Sequence, residues 1–114
     1  MTAQGHPRAI FKRAIEHGNV TVAQMTAREL GRITLTESLA LTALVVQKDP
    51  GRRSRYAVRW LRRLLEEDQN LTIEEASLAA SALAALGGRA HAEAMSTLSA
   101  MAERATRQAR TTFE

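Results

Sequence analysis

The chain has no cysteine among its 114 residues, and it contains few aromatic residues and only two prolines. The absence of cysteine excludes a disulfide framework, a thiolate zinc site and a cysteine nucleophile. No stretch approaches the roughly 20 consecutive apolar residues that a membrane-spanning helix needs. The segment from Met1 to Lys12 also lacks the apolar region of a secretory signal. We therefore expect a cytoplasmic protein without a membrane partner.

Motifs for catalysis and cofactor binding are also lacking. The histidines are His6, His17 and His91. None of them has a histidine or carboxylate at a metal-ligand spacing. Glu66-Glu67 and Glu74-Glu75 are sequence neighbours, whose side chains diverge on a helix, so neither pair resembles a general acid and base. Gly87-Gly88 lacks the lysine that follows a phosphate-binding loop. The sequence thus predicts a protein that is not an enzyme and that holds no metal or cofactor.

Alanine and leucine supply most of the apolar residues, which favours helices over strands. The length is that of a single domain, and apolar residues recur at helical spacing in about six segments. We therefore predict an all-α fold of about six helices over residues 7–110. Residues 1–6 are predicted to be a disordered arm, and residues 111–114 a C-terminal tail.

The ends of several predicted helices are marked by residues with specific backbone roles. Pro7 suits the first position of a helix, where its missing N–H costs nothing. Gly18 can close the first helix in the left-handed conformation, and Asn19 is a natural N-cap for the second. Capping boxes, in which a hydroxyl and a carboxylate satisfy backbone donors reciprocally, are predicted at Thr34-x-x-Glu37 and Thr72-x-x-Glu75.

A weak internal repeat joins these capping boxes. The segment Thr34–Glu66 can be aligned on Thr72–Glu103, so that Leu39–Leu44 matches Leu78–Leu83 and the two boxes fall in register. A period near 38 residues made of two helices resembles α-solenoid repeats of the HEAT-like or tetratricopeptide-like kind. The resemblance implies three antiparallel helix hairpins that bind through one face, and a compact helical bundle fits the same pattern.

The predicted fifth helix is rich in alanine, at Ala79, Ala80, Ala82, Ala84 and Ala85. Small side chains around most of a helix permit close approach of neighbouring helices. One interpretation is a central buried helix. The other is a self-association surface or a shallow groove that receives a partner's helix, which leaves a structural homo-oligomer as an alternative.

The most unusual feature is a dense run of arginines in the predicted fourth helix. The formal net charge is +4, and the basic residues are nearly all arginine. On a helical wheel, a sector of roughly 100° opposite Leu61 and Leu64 holds a row of guanidinium groups. The members of this row are Arg52, Arg55, Arg59, Arg62 and Arg63. Trp60 points toward the core, and Leu65 is assigned to the apolar side.

This arginine row has two interpretations. In one it is a solvated face that acids such as Glu66 and Glu67 partly neutralise. In the other it contacts an acidic protein surface or phosphates, with which arginines pair bidentately. Tyr56, at the edge of the row, would then stack on a base or an aromatic partner. We expect an adaptor that binds an acidic protein surface, with nonspecific DNA or RNA binding as the alternative.

Two further features bear on nucleic acid. A second basic group lies on the C-terminal helix at Arg104, Arg107 and Arg110, although cations near a helix C-terminus are also expected from the helix dipole. Ala27 and Gly31 imitate the alanine and turn glycine of a helix-turn-helix. Glu37 stands where that motif usually buries an aliphatic residue, so a sequence-reading motif is disfavoured.

Overall fold

The helices begin and end where short polar side chains, proline and glycine place them. The computed structural model describes residues 6–113, with side chains described for residues 6–110. The six α-helices are α1 (Pro7–Glu16), α2 (Val20–Leu30), α3 (Leu35–Lys48), α4 (Arg53–Glu67), α5 (Ile73–Ala85) and α6 (His91–Phe113). A 3₁₀ turn, Pro50–Arg52, precedes α4. No strand occurs within the described residues.

The single domain over residues 7–110 stays a prediction, and the described helices run from Pro7 to Phe113. Residues 1–5 of the predicted arm, and Glu114 of the predicted tail, lie outside the described residues. His6 occupies the N-cap position of α1. Helix α6 continues to Phe113 and so takes in most of the predicted tail.

The predicted capping residues are confirmed. Pro7 begins α1, and Gly18 has a φ of 71°. The side chain of Asn19 accepts a hydrogen bond from the backbone N–H of Val22 at 3.1 Å. Both capping boxes are formed, with Thr34 and Glu37 at the start of α3 and Thr72 and Glu75 at the start of α5. These local signals fix helix ends because they satisfy backbone donors that the helix itself leaves unpaired.

Helix α3 lies between two hydrophobic clusters and contributes to both. Leu35, Leu39, Ala43 and Val46 belong to a cluster with α4, α5 and α6. Leu41, Leu44 and Val45 belong to a second cluster with α1 and α2. Apolar residues therefore surround most of α3, as expected of a central helix.

Of the interpretations given for α5, that of a central buried helix is wrong. Ala79, Ala82 and Leu83 are buried, but Ala80 and Ala84 on the other side are exposed. The long leucine and valine side chains of α3 provide far more apolar area than the alanines of α5. The greater hydrophobic gain comes from surrounding α3, so α3 takes the central position.

On α4, the predicted apolar positions Trp60 and Leu64 are buried. The indole N–H of Trp60 donates to the carbonyl oxygen of Leu35 at 3.0 Å. Leu65, which is also predicted to lie on the apolar side, has 46% of its surface exposed, because it lies at the margin of that side.

Helices that follow one another in sequence pack together. The largest contacts join α1 with α2, α3 with α4, and α5 with α6, and α3 also packs against α6. The protein measures 46 × 40 × 21 Å, so its thickness is about two helix diameters. None of the helices in the described chain combines the length and the apolar character needed to cross a membrane. The solenoid-like stack of three hairpins stays a prediction.

Candidate binding cleft on the arginine face of α4

Helix α4 separates its apolar and basic side chains onto opposite faces. Trp60 and Leu64 are buried, whereas Arg55, Arg59 and Arg62 are exposed. We call Arg55, Arg59, Arg62 and Arg63 the arginine face. Arg52 does not continue the helical row, because it lies in the 3₁₀ turn and forms an ion pair with Asp49 at 3.3 Å.

Acidic side chains neutralise only one end of the arginine face. Nε of Arg63 lies 2.7 Å from a carboxylate oxygen of Glu67, and the same oxygen lies 3.5 Å from Nη2 of Arg32. Arg55 and Arg62 form no ion pair with any described side chain. The guanidinium of Arg59 lies 5.5 Å from the centre of the Tyr56 ring, a distance at which a cation is attracted to the ring face.

The arginine face borders a cleft of about 470 Å³ between α2, α3 and α4. Leu41, Thr42 and Trp60 form its floor, since they line the cleft and are buried. The arginines around it are Arg28, Arg32, Arg59, Arg62 and Arg63, and Glu66 is also present. Arg55 lies on the same helix face but does not line the cleft.

Arg28 and Arg32 were missed by sequence reasoning. Arg28 lies in the last turn of α2, and Arg32 follows Gly31, which caps that helix with a φ of 79°. This left-handed conformation, which favours glycine, reverses the chain so that residues on both sides of Gly31 line the cleft. Helical spacing indicates that Arg28 is exposed, but only the packing of both α2 and α4 against α3 brings it to the arginine face.

Tyr56 is held in place between the cleft and the core. Its side chain packs against the cluster formed by α1, α2 and α3, and its hydroxyl oxygen accepts a hydrogen bond from Nε2 of Gln24 at 2.8 Å. Arg59 lies near the ring, as described above. The Tyr56 ring therefore already contacts other side chains of the protein. Its hydroxyl proton is available to donate a hydrogen bond within the cleft.

No family model, curated protein or solved structure matches this chain. The chemistry of the cleft therefore rests on its own side chains. Those side chains combine several cations with apolar and hydroxyl groups, and guanidinium groups of this kind can pair bidentately with carboxylate or phosphate oxygens.

The second basic group is divided by its contacts. Arg104 donates from Nη1 to Glu75 at 2.7 Å and from Nη2 to Asp68 at 3.1 Å. The Asp68 side chain is completely buried and also accepts from the backbone N–H of Asn70 at 3.1 Å. Hydrogen bonds from Arg104 and from the Thr72 backbone lower the pKa of Glu75 to about 2. The pKa of Arg104 is raised, chiefly by its bonds to Glu75 and Asp68.

The other two arginines of the second basic group, and Arg8 of α1, lie outside the cleft. Arg107 and Arg110 are exposed on α6, and neither lines the cleft. Arg8 lines a separate groove between α1 and α3 and pairs with Glu37 at 2.7 Å. Burial alone would raise the pKa of Glu37, but hydrogen bonds from Arg8 and Thr34 lower it overall. Glu37 thus joins α1 to α3.

The histidines are placed separately. His17 is the C-cap of α1, and Nδ1 of His91 lies 2.6 Å from the carbonyl oxygen of Leu86. Among the described residues, no group of three histidine, aspartate or glutamate side chains is arranged to hold a metal ion.

Proposed function

We propose that this protein is a non-enzymatic helical-repeat adaptor that binds an acidic protein surface through the arginine face of α4. The observation that supports this proposal is that acidic side chains pair with only some of the arginines on this helix. Arg63 is paired with Glu67, whereas Arg55, Arg59 and Arg62 are exposed and form no ion pair with a described side chain.

The spacing of these three arginines supports a binding role. Like charges three or four positions apart on a helix repel by a few tenths of a kcal/mol per pair. A partner that brings carboxylates to the row removes this repulsion. Each guanidinium can also form two parallel hydrogen bonds with one carboxylate, which adds geometric specificity.

Nonspecific nucleic-acid binding is the second candidate, because the same guanidinium row fits phosphate oxygens. The side-chain geometry favours the protein partner. Tyr56 is packed against the core and lies close to Arg59, so its ring is poorly placed to stack on a base. Trp60 is buried and offers no second stacking surface.

A homo-oligomer formed through α5 is a third candidate. Ile73 and Leu78 are 85% and 52% exposed on this helix, beside the exposed Ala80 and Ala84. Light scattering distinguishes this candidate from an adaptor, since a monomeric mass removes it.

The test is a fluorescence-anisotropy titration with a short labelled polyglutamate peptide and with single-stranded and duplex oligonucleotides. Each probe is titrated at low and at physiological salt. The parent is compared with a triple variant in which Arg55, Arg59 and Arg62 are changed to Ala. The control triple variant changes Lys12, Arg13 and Arg89 to Ala, which removes the same charge from exposed positions elsewhere.

The adaptor proposal predicts that the peptide binds at physiological salt and that only the first triple variant loses this binding. Oligonucleotide binding that falls steeply with salt, is lost in the same variant, and exceeds peptide binding would favour nucleic acid instead. Equal losses in the two triple variants would contradict any specific role for the arginine face.

A further inference from the structure

We infer that the cleft between α2 and α4 receives an acidic peptide segment of the partner, with an apolar side chain between its carboxylates. This inference rests on the proposed function and deepens it. It assigns binding roles to Arg28 and Arg32, which lie outside α4, and it specifies a linear segment as the form of the ligand.

The cleft carries an excess of positive charge. Five arginines line the cleft, against Glu66 in its lining and Glu67 beside Arg32 and Arg63. Counting both carboxylates leaves a formal charge of +3. Arg28, Arg59 and Arg62 form no ion pair with the side chains that the structure describes.

These positive charges come from two elements that line the cleft. Arg28 and Arg32 come from the end of α2 and the following turn, and Arg59, Arg62 and Arg63 come from α4. A carboxylate that enters between the two elements meets guanidinium groups from both.

The cleft also offers apolar contacts. Ala27 and Ile33 are partly exposed and line the cleft beside the buried Leu41, which suits an apolar side chain. Ser38 and Tyr56 provide hydroxyl groups. Because the Tyr56 oxygen accepts from Gln24, its own proton is available to donate to an oxyanion.

The size and accessibility of the cleft suit a short peptide segment. The volume of about 470 Å³ lies within the roughly 300 to 1,000 Å³ of ordinary ligand sites. Arg28, Arg32, Arg59 and Arg62 are exposed, so the cleft is accessible along its rim. A concave site of this size takes the side chains of a short segment, whereas a broad convex surface reaches only its rim.

The first experiment compares Arg28→Ala with Arg13→Ala. Both arginines are exposed, and each lies in the last turn of its helix, so the two variants lose the same charge and the same dipole interaction. The probe is a short labelled peptide of glutamates around one leucine, measured by anisotropy at physiological salt. We expect Arg28→Ala to weaken binding about fivefold and Arg13→Ala to leave it nearly unchanged.

A second variant strengthens binding, which a misfolded protein cannot do. Glu66 lines the cleft and repels an acidic ligand. Glu66→Gln is expected to tighten binding about threefold. Glu103→Gln, at an exposed position on α6, is the matched control and is expected to have little effect. Replacement of the leucine in the probe by serine is expected to weaken binding to the parent.

The outcomes separate the two proposals. If the peptide binds and depends on Arg55, Arg59 and Arg62, but Arg28→Ala matches Arg13→Ala, the cleft inference is overturned and the arginine face remains. If the parent does not bind the peptide at all, both proposals are overturned. Tighter binding of a single-stranded oligonucleotide, with the same dependence on Arg28, would overturn the peptide as the ligand of the cleft.

Discussion

Arg104 on α6 differs from the exposed arginines of α4 in its acidic partners. Arg104 contacts two carboxylates, one of them completely buried. Arg55, Arg59 and Arg62 are exposed and have no acid partner among the described side chains. A row of arginines in a sequence therefore does not by itself indicate a binding site. What distinguishes the two groups is where the acids lie in the fold.

The contacts of Arg104 connect three parts of the protein. Asp68 is the C-cap of α4, Glu75 lies in the first turn of α5, and Arg104 is on α6. These ion pairs thus fix the turn between α4 and α5 against the last helix. Arg55, Arg59 and Arg62 form no such ion pair with a described side chain, and their loss is expected to affect binding more than folding.

The largest predicted effect is that of Asp68→Ala. This change removes a buried carboxylate, leaves the backbone N–H of Asn70 without its acceptor, and leaves Arg104 with one partner. We expect the free energy of unfolding to fall by about 3 kcal/mol, measured by urea denaturation. Asp68→Asn, which keeps the acceptor for Asn70 but not the charge, should recover part of this loss. An Asp68→Ala variant as stable as the parent would contradict a structural role for Arg104.

The next effect concerns pH. Because the folded pKa of Glu75 is about 2, below the ordinary value of about 4.3 for an unfolded chain, its charge stabilises the fold above that ordinary value. This contribution is lost as the pH falls from about 4.3 to about 2. We expect Glu75→Gln, which can still complete the capping box, to lower the melting temperature at neutral pH. The difference from the parent should shrink across this window, and a difference that does not change with pH would contradict the assignment.

The smallest effect on stability is predicted for the arginine face. Changing Arg55, Arg59 and Arg62 to Ala removes repulsion between like charges and introduces a good helix former. We expect the free energy of unfolding to change by no more than about 0.5 kcal/mol. The check is urea denaturation beside the Asp68 variants, and a loss of stability as large as theirs would erase the distinction between the two groups.

Local features of the fold could be predicted from the sequence. The capping boxes at Thr34 and Thr72, the cap at Asn19 and the left-handed Gly18 depend on residues within a few positions of one another. The helical spacing of α4 likewise separates Trp60 from Arg59 and Arg62. These predictions succeed because a helix places residues three and four apart on the same face whatever surrounds it.

Contacts between distant segments could not be predicted in this way. Asp68 reads as an ordinary turn residue, and its partner Arg104 is 36 positions away. Arg28 and Arg32 reach the cleft only because α2 and α4 both pack beside α3. The central position of α3 in place of α5 follows from the balance of apolar area across the whole protein. Each of these features depends on how the helices pack against one another. The spacing of residues along a single helix gives no information on that packing.

The most direct test of the distinction follows the arginine side chains themselves. In a ¹H–¹⁵N NMR titration with the glutamate and leucine peptide, the Nε–H signals of all arginines are recorded together. We predict that the signals of Arg28, Arg59 and Arg62 shift progressively with peptide, while that of Arg104 stays in place. Signals of Arg59 and Arg62 that do not move, or an Arg104 signal that moves as far as theirs, would contradict the account.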